Sequence, residues 1–253
     1  MYNVLILGSG RSGTSMVAGS LAKAGYYMGT RFVPPRDSNP KGFFEDHEIN
    51  DINEAILKRV VPHRPRYIGR VLFRNHLGYM QKWLARVSLE AEMPSRPAIE
   101  KRIQKVVQHQ PFCFKDPRFS YTLPVWRPFL PATTRFICVF RHPTSTAQSI
   151  VKEAQKPYLQ MLKIDHDIAL DIWKYMYLHT LRKHRYQGEW LFIHFDQVLS
   201  RSGQDKLEAF TGARVDRDFP DPALRRSTPQ GPVPNEIWAL YEELCQLADY
   251  PAV

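Results

Sequence analysis

Apolar residues along this chain alternate between two kinds of pattern. Short, largely apolar runs at Tyr2–Leu7, Phe112–Lys115, Arg135–Phe140 and Trp190–Phe195 read as strands buried on both faces of a parallel sheet. Between them, apolar positions recur at helical spacing. Met16, Val17, Leu21 and Ala24 line one side of a helix after the first strand, and Ile49, Ile52 and Ile56 mark a second beyond the turn-rich stretch from Pro34 to Gly42. Two more helices precede the last strand: one from about Thr144, with that threonine as its cap, and one in which Ile164, Ile168, Ile172 and Met176 recur every four residues. Ile237, Leu240, Tyr241 and Leu244 mark a final helix. This alternation predicts an α/β fold of three layers, α/β/α, around a doubly wound parallel sheet whose ligands sit at the carboxyl ends of the strands.

Residues 58–105 interrupt the alternation. The span mixes Arg, Lys and His with Tyr, Phe and Trp, as in Arg64-Pro65-Arg66-Tyr67 and Arg70-Val71-Leu72-Phe73-Arg74. It is expected to be a basic, helical insertion, either a substrate-facing lid or a solvated surface helix. At 253 residues the chain suits one large domain, so residues 1–253 are expected to form a single unit carrying that insertion.

The balance of 35 Lys and Arg against 25 Asp and Glu gives a net charge of +10, which attracts anions in general. Nucleic acid, acidic lipid surfaces and phosphorylated or acidic small molecules all fit that charge. Cys113, Cys138 and Cys245 are widely spaced and form no C-x-x-C pair, which argues against a disulfide framework or a zinc site. No basic segment with a long apolar stretch precedes the first strand, and no run reaches the roughly eighteen apolar residues of a membrane span. A cytoplasmic protein without signal peptide or transmembrane segment is expected.

The chemistry concentrates in Leu5-Ile6-Leu7-Gly8-Ser9-Gly10-Arg11-Ser12-Gly13-Thr14-Ser15, where a strand runs into a turn rich in glycine and hydroxyls with one arginine. Backbone N–H groups freed by Gly8, Gly10 and Gly13 can converge on phosphate oxygens, and the positive end of the following helix adds its dipole. Three readings fit this P-loop-like turn. Gly8, Gly10 and Gly13 match the dinucleotide fingerprint, but the acidic residue expected about 20 residues on is replaced by Gly29-Thr30-Arg31-Phe32-Val33-Pro34-Pro35. Gly8 to Ser15 match the spacing of a nucleoside-triphosphate loop, with Thr14 where its lysine belongs. The third reading is a loop for a 5′-phosphosulfate, with Arg11 supplying charge and Thr14 and Ser15 the hydroxyls.

Further polar segments close two of the strands. Lys115-Asp116-Pro117-Arg118 and Arg141-His142-Pro143 would both point charge at the mouth occupied by the glycine-rich turn. Ser149 follows Arg141 by eight residues, so a guanidinium and a hydroxyl can grip one phosphate from two sides. Asp116 is expected to position Lys115 or the local turn.

Taken in order, these segments resemble the sulfotransferases that use 3′-phosphoadenosine 5′-phosphosulfate (PAPS). Arg11-Ser12-Gly13-Thr14-Ser15 is similar to that family's phosphosulfate loop, and Arg141 through Ser149 to its 3′-phosphate arginine and serine. Asn39-Pro40-Lys41-Gly42-Phe43-Phe44-Glu45-Asp46 and Lys115-Asp116-Pro117 resemble bacterial members and, more distantly, tyrosylprotein sulfotransferases. The resemblance implies PAPS as cosubstrate and PAP as product, held by Gly10, Arg11, Ser12, Gly13, Thr14 and Ser15 at the phosphosulfate and by Arg141 and Ser149 at the 3′-phosphate. It makes Glu45 the catalytic base, with Asp46 as rival, Lys115 a transition-state donor, and Arg11 a contributor to turnover. The C-terminal R-K-G-x-x-G-D-W element of cytosolic members is absent, and Arg225-Arg226-Ser227 is expected to close the nucleotide site instead, with Arg226 as ligand.

Sulfuryl transfer needs in-line positioning and charge stabilisation, which Arg and Lys can supply without a metal, and no metal-ligand motif stands in the sequence. The acceptor is expected to be a small molecule or glycan bearing a hydroxyl, with a sugar, glycolipid or other acidic compound suggested by residues 58–105 and an aromatic or aliphatic alcohol left open. Nucleic acid is not an expected partner, contact with acidic membrane stays open, and oligomeric state is not encoded legibly. A P-loop nucleotide kinase is the enzymatic alternative, with Phe192-Ile193-His194-Phe195-Asp196 similar to a magnesium-binding strand. A basic nucleic-acid-binding module is the non-enzymatic one, and a nicotinamide-dependent dehydrogenase stands behind both.

Overall fold

Among the described residues, four parallel strands form the centre of the molecule: β1 (Val4–Leu7), β2 (Cys113–Lys115), β3 (Arg135–Phe140) and β4 (Glu189–His194). They pair in the order β2-β1-β3-β4, with Ile6 opposite both Lys115 and Ile137. The computed structural model describes residues 1–62, 64 and 76–252. Helices α1 (Thr14–Leu21), α2 (His47–Leu57) and α3 (Pro97–Val106) lie between β1 and β2, and α4 (Phe119–Trp126) between β2 and β3. Next come α5 (Pro143–Ala154) and α6 (His166–His179) before β4, then α7 (Arg201–Thr211) and α8 (Asn235–Ala248).

The two-residue alternation of the strands sorts their side chains into two cores. Val4, Ile6, Ile137, Val139 and Ile193 face α1 and α7, packing on Val17, Leu21 and Leu207. Leu5, Leu7, Phe114 and Phe136 face the opposite layer, meeting Ile49, Ile52 and Ile56 of α2, Ile103 of α3 and Phe119 of α4. That layer continues under β3 and β4, where Cys138, Phe140 and Phe192 meet α6 and α8. Chain direction reverses beside β1: the first crossover leads to β2 on one side and the next to β3 on the other. The carboxyl ends of β1 and β3 therefore flank a topological switch point, where loops diverge and leave a crevice.

Several expectations are corrected locally. The helix expected from Thr144 begins at Pro143, whose fixed φ suits a first helical position, and His142 occupies the cap. Ile164 lies outside α6 because Asp165 caps it, accepting from Ile168 N at 2.8 Å. Within 58–105, Lys82–Leu84 form a short 3-10 turn and α3 is an amphipathic helix that buries Ile99, Ile103 and Val106 against the core, so it is not a free surface helix. The stretches Arg66-Tyr67 and Arg70 to Arg74 lie outside the described residues.

Candidate active site

β1 runs into the turn at Gly8, where φ is 135° and a Cβ would collide with the carbonyl of Val139 on β3. Glycine thus lets the turn lie directly on the neighbouring strand. Tyr177 of α6 braces it from behind, its hydroxyl accepting from Ser9 N (3.1 Å) and donating to Val139 O (2.8 Å). Gly13, left-handed at φ 97°, opens α1 without a side-chain cap, so among the described residues no cap side chain takes up the first N–H groups of that helix.

A cavity of about 410 Å³ opens at this turn. Gly10, Arg11, Gly13, Thr14, Ser15, Glu45, Lys115, Arg141, Ser149 and Arg226 all border it, gathered from the ends of three strands, two helices and the C-terminal segment. Ser12 does not. Its hydroxyl is fully buried 3.3 Å from Thr146 Oγ1 of α5 and its N–H donates to Ser9 O (3.2 Å), so it ties the turn to α5 and takes no part in the lining.

Three guanidinium groups converge on one side. Arg11 donates to Ser149 Oγ (3.0 Å) and Ser38 O (3.0 Å), Arg141 to Ser227 O, and Arg226 to Asp37 O. All these acceptors are neutral, and among the described residues none of the three arginines forms an ion pair. Burial, with the charges of Arg225 and Arg11 added, pushes Arg141 down to about 10 despite Asp196. Burial likewise lowers Arg11, with Glu153 and Tyr158 opposing. Excess positive charge held in a concave site is an arrangement that an anion relieves. The hydroxyl of Ser227, on the segment that crosses Arg141, is buried at the cavity edge and has no hydrogen-bond partner among the described residues. That segment is tied down where Gln230 N donates to Thr144 Oγ1 (3.1 Å).

On the other side Lys115, at the end of β2, is buried and hydrogen-bonded to Glu45 Oε1, while Glu45 Oε2 accepts from Asn50 Nδ2 at 3.1 Å. Burial pushes the Glu45 carboxyl up, but Lys115 and Arg118, with the hydrogen bonds from Lys115 and Asn50, outweigh it and hold the group below the ordinary carboxylate value. Asp46 is fully occupied elsewhere. Its Oδ1 caps α2 through Glu48 N (2.8 Å) and Ile49 N (3.4 Å), and its Oδ2 accepts from Thr30 N (2.9 Å) and Arg31 N (2.8 Å). Of its two expected roles Asp116 takes the second, holding the local turn: it accepts from Arg118 N and Nη1, both at 2.8 Å, and from Asn53 Nδ2 at 2.9 Å.

The family model described as "Sulfotransferase family" matches residues 3–205, more than half of the chain. The chain belongs to the sulfotransferase family. Among solved structures, the sulfotransferase domain from the Synechococcus PCC 7002 olefin synthase is similar, at 17% identity over 97% of this chain and 94% of that one, with a TM-score of 0.57. The sulfotransferase domain from the curacin biosynthetic pathway is similar at 13% identity over 99% of this chain and 98% of that one, with a TM-score of 0.53. No curated protein matches. These likenesses show the shared fold.

Sequence reasoning gave no role to several residues of this sulfotransferase's cavity. Met80 and Trp83 come from the insertion, and Phe195 lies under Arg141 at 4.3 Å. The only available signal was aromatic and basic composition, which does not say where a side chain lands. Asp196, proposed for a magnesium-binding strand, accepts from Tyr250 (3.2 Å), pairs with Arg225 (3.2 Å) and lies outside the cavity lining.

Proposed function

We propose that this protein transfers the sulfuryl group of PAPS to a hydroxyl of an acceptor. The observation that carries the reading is the cavity's division into two parts: ion-pair-free arginines around a glycine-rich turn on one side, and a lysine–carboxylate pair on the other. Bound PAPS supplies a sulfuryl group on a phosphate leaving group. The turn from Gly10 to Ser15 and the uncapped start of α1 suit the 5′-phosphosulfate, through N–H groups and the hydroxyls of Thr14 and Ser15. Arg141, Ser149 and Arg226 suit the 3′-phosphate, and Ser227 joins them as a hydroxyl with no competing partner. Arg11 lies between the two sets, bonded to Ser149, and serves whichever phosphate draws it.

Glu45 is the base of this reading, because its rival Asp46 already accepts four backbone N–H bonds. As an anion it can accept the proton of an attacking hydroxyl. Lys115 restrains it in the resting site. Once that lysine shares its charge with a bound anion, burial is opposed less, Glu45 rises toward neutrality and becomes the stronger base. Residues 1–253 act as one domain in this proposal, since the C-terminal segment bonds Arg141 and Thr144. A reducing, cytoplasmic setting is proposed on its three free, buried thiols. Among the described residues no helix is long and apolar enough to cross a membrane.

Calorimetry with PAP, together with transfer of labelled sulfate from PAPS to a panel of hydroxyl acceptors, tests the reading. Binding and transfer are expected; absence of both overturns it, and magnesium-dependent ATP turnover would favour the kinase.

A further inference from the structure

The acceptor side of the cavity differs from the donor side in charge and in lining. A chain of hydrogen bonds leads from the base to the wall formed by residues 78–84. Asn50 Nδ2 donates to Glu45, Arg118 Nη1 donates to Asn50 Oδ1 (3.4 Å), Arg118 Nε donates to Glu54 Oε1 (2.9 Å), and Met80 N donates to Glu54 Oε2 (3.0 Å). Asn50 and Glu54 are one turn apart on α2, so one helix holds both the base and the wall. Met80 is held with φ at 62°, uncommon for a residue with a side chain, and Glu54 fixes it there. Trp83 lies over Gly10, so closely that a Cβ there would come within 2.5 Å of the indole. This wall is preformed.

Its charges cancel. Lys115 pairs with Glu45, Lys82 with Glu54 (2.7 Å), and Arg118 with Asp116 (2.8 Å) as well as Glu54 (2.9 Å), giving three cations against three carboxylates. Two further cations line the cavity: Arg36 stacks over Tyr158 (4.6 Å) and Phe43 (5.9 Å), with the Tyr158 hydroxyl donating to the buried Glu153, and Lys41 pairs with Asp221 (3.6 Å) and donates to Phe219 O (2.7 Å). Toward the cavity this wall presents Tyr79, Met80 and Trp83, with Val33 and Pro117 beside them, while the Gln81 amide is engaged by Gly78 N (2.7 Å) and Tyr158 O (2.7 Å). Among the described residues, a carboxylate or sulfate placed against this surface loses water and meets on this side no cation free of a carboxylate or aromatic partner, whereas an apolar body gains burial. Arg66, Arg70 and Arg74, on which a preference for acidic acceptors partly rested, lie outside the described residues.

We propose that the acceptor is an uncharged alcohol with an apolar body, aliphatic or aromatic, whose body lies along Tyr79, Met80 and Trp83 while its hydroxyl reaches Glu45. This rests on the sulfotransferase reading above. In the reaction the sulfur–oxygen bond to the 5′-phosphate breaks and its electron pair leaves with PAP. A bond forms between that sulfur and the alcohol oxygen, and the alcohol proton goes to Glu45.

The test compares decanol and naphthol with hydroxydecanoate, hydroxynaphthoate and glucose, using labelled PAPS and the full chain, with PAP calorimetry in parallel. The neutral apolar alcohols are expected to exceed the carboxylated analogues and glucose in kcat/KM by about tenfold or more. Met80→Lys adds a cation to the wall and is expected to cut that preference at least severalfold while PAP affinity holds; Met80→Leu controls for packing. PAP binding with equal or better use of the carboxylates or glucose overturns the acceptor proposal and leaves the sulfotransferase reading standing. PAP binding without transfer to either apolar alcohol also overturns it. Failure of PAP binding and of all transfer removes both.

Discussion

Glu54 is the residue on which the acceptor wall depends most. Buried on α2, it accepts from Met80 N (3.0 Å), Lys82 N (3.0 Å), Lys82 Nζ (2.7 Å) and Arg118 Nε (2.9 Å). Glu54→Ala leaves all four donors without this acceptor and the Lys82 ammonium buried with no carboxylate, while Arg118 keeps Asp116. Breaking a buried ion pair from one side costs about 3–5 kcal/mol, because the surviving charge has no compensation. For a chain of this size that corresponds to a fall in Tm of about 6–20 °C. Replacing both partners, Glu54→Met with Lys82→Met, leaves no orphaned charge and should recover about 1–3 kcal/mol relative to the sum of the single changes. Urea titration of the parent, Glu54→Ala, Glu54→Met, Lys82→Met and the double variant gives these numbers, and PAP calorimetry on the folded fraction shows whether the donor side is untouched. A Glu54→Ala cost under about 1 kcal/mol, or strict additivity across the cycle, would refute the claim that this carboxylate pins the wall.

Glu45→Gln should lower kcat by about two to four orders of magnitude with PAP affinity within a few-fold of the parent, read by single-turnover kinetics beside calorimetry; normal turnover moves the base elsewhere. Arg141→Ala should weaken PAP binding by about two orders of magnitude, with Arg141→Lys recovering only part, since an ammonium lacks the planar fork. Ser149→Ala should weaken the same step less. His184 is buried, its Nε2 3.0 Å from Ser120 O, and burial lowers it to about 3. Because its folded value lies below the unfolded one, its stabilising effect is present above about pH 6.5 and is lost as pH falls toward 3. Its share of the stability lost between pH 7.5 and 5.5 is about 1.4 kcal/mol, on top of that from His194, which burial lowers to about 4, and His184→Asn should remove that share from the slope of a urea titration.

The sheet was legible in the sequence because strands buried on both faces carry unbroken apolar runs, and β3 matches its expected span from Arg135 to Phe140. Ends were less legible, since caps depend on single side chains: Asp165 decides where α6 starts, whatever Ile164 contributes to the periodicity. The helices α4 and α7 were not anticipated at all. Much of the candidate site was legible too, because its residues sit at strand ends that a parallel sheet brings to one mouth. Ser12 shows the limit of that reasoning, as a motif lists hydroxyls without saying which face of the turn each occupies. The acceptor wall was invisible for another reason: Arg118 and Glu54 are 64 positions apart, and no local pattern records their pairing.

The indole resting on Gly10 links two functions that the chain encodes far apart. Tyr79 and Met80 bond to α2, through a hydroxyl to Asp51 and an N–H to Glu54, and not to the phosphate turn, so both can be rewritten with that turn left in place. Position 83 has no such freedom. Any residue there also sets the shape of the turn, so variants selected for new acceptors should accumulate changes at 79 and 80 and keep tryptophan at 83.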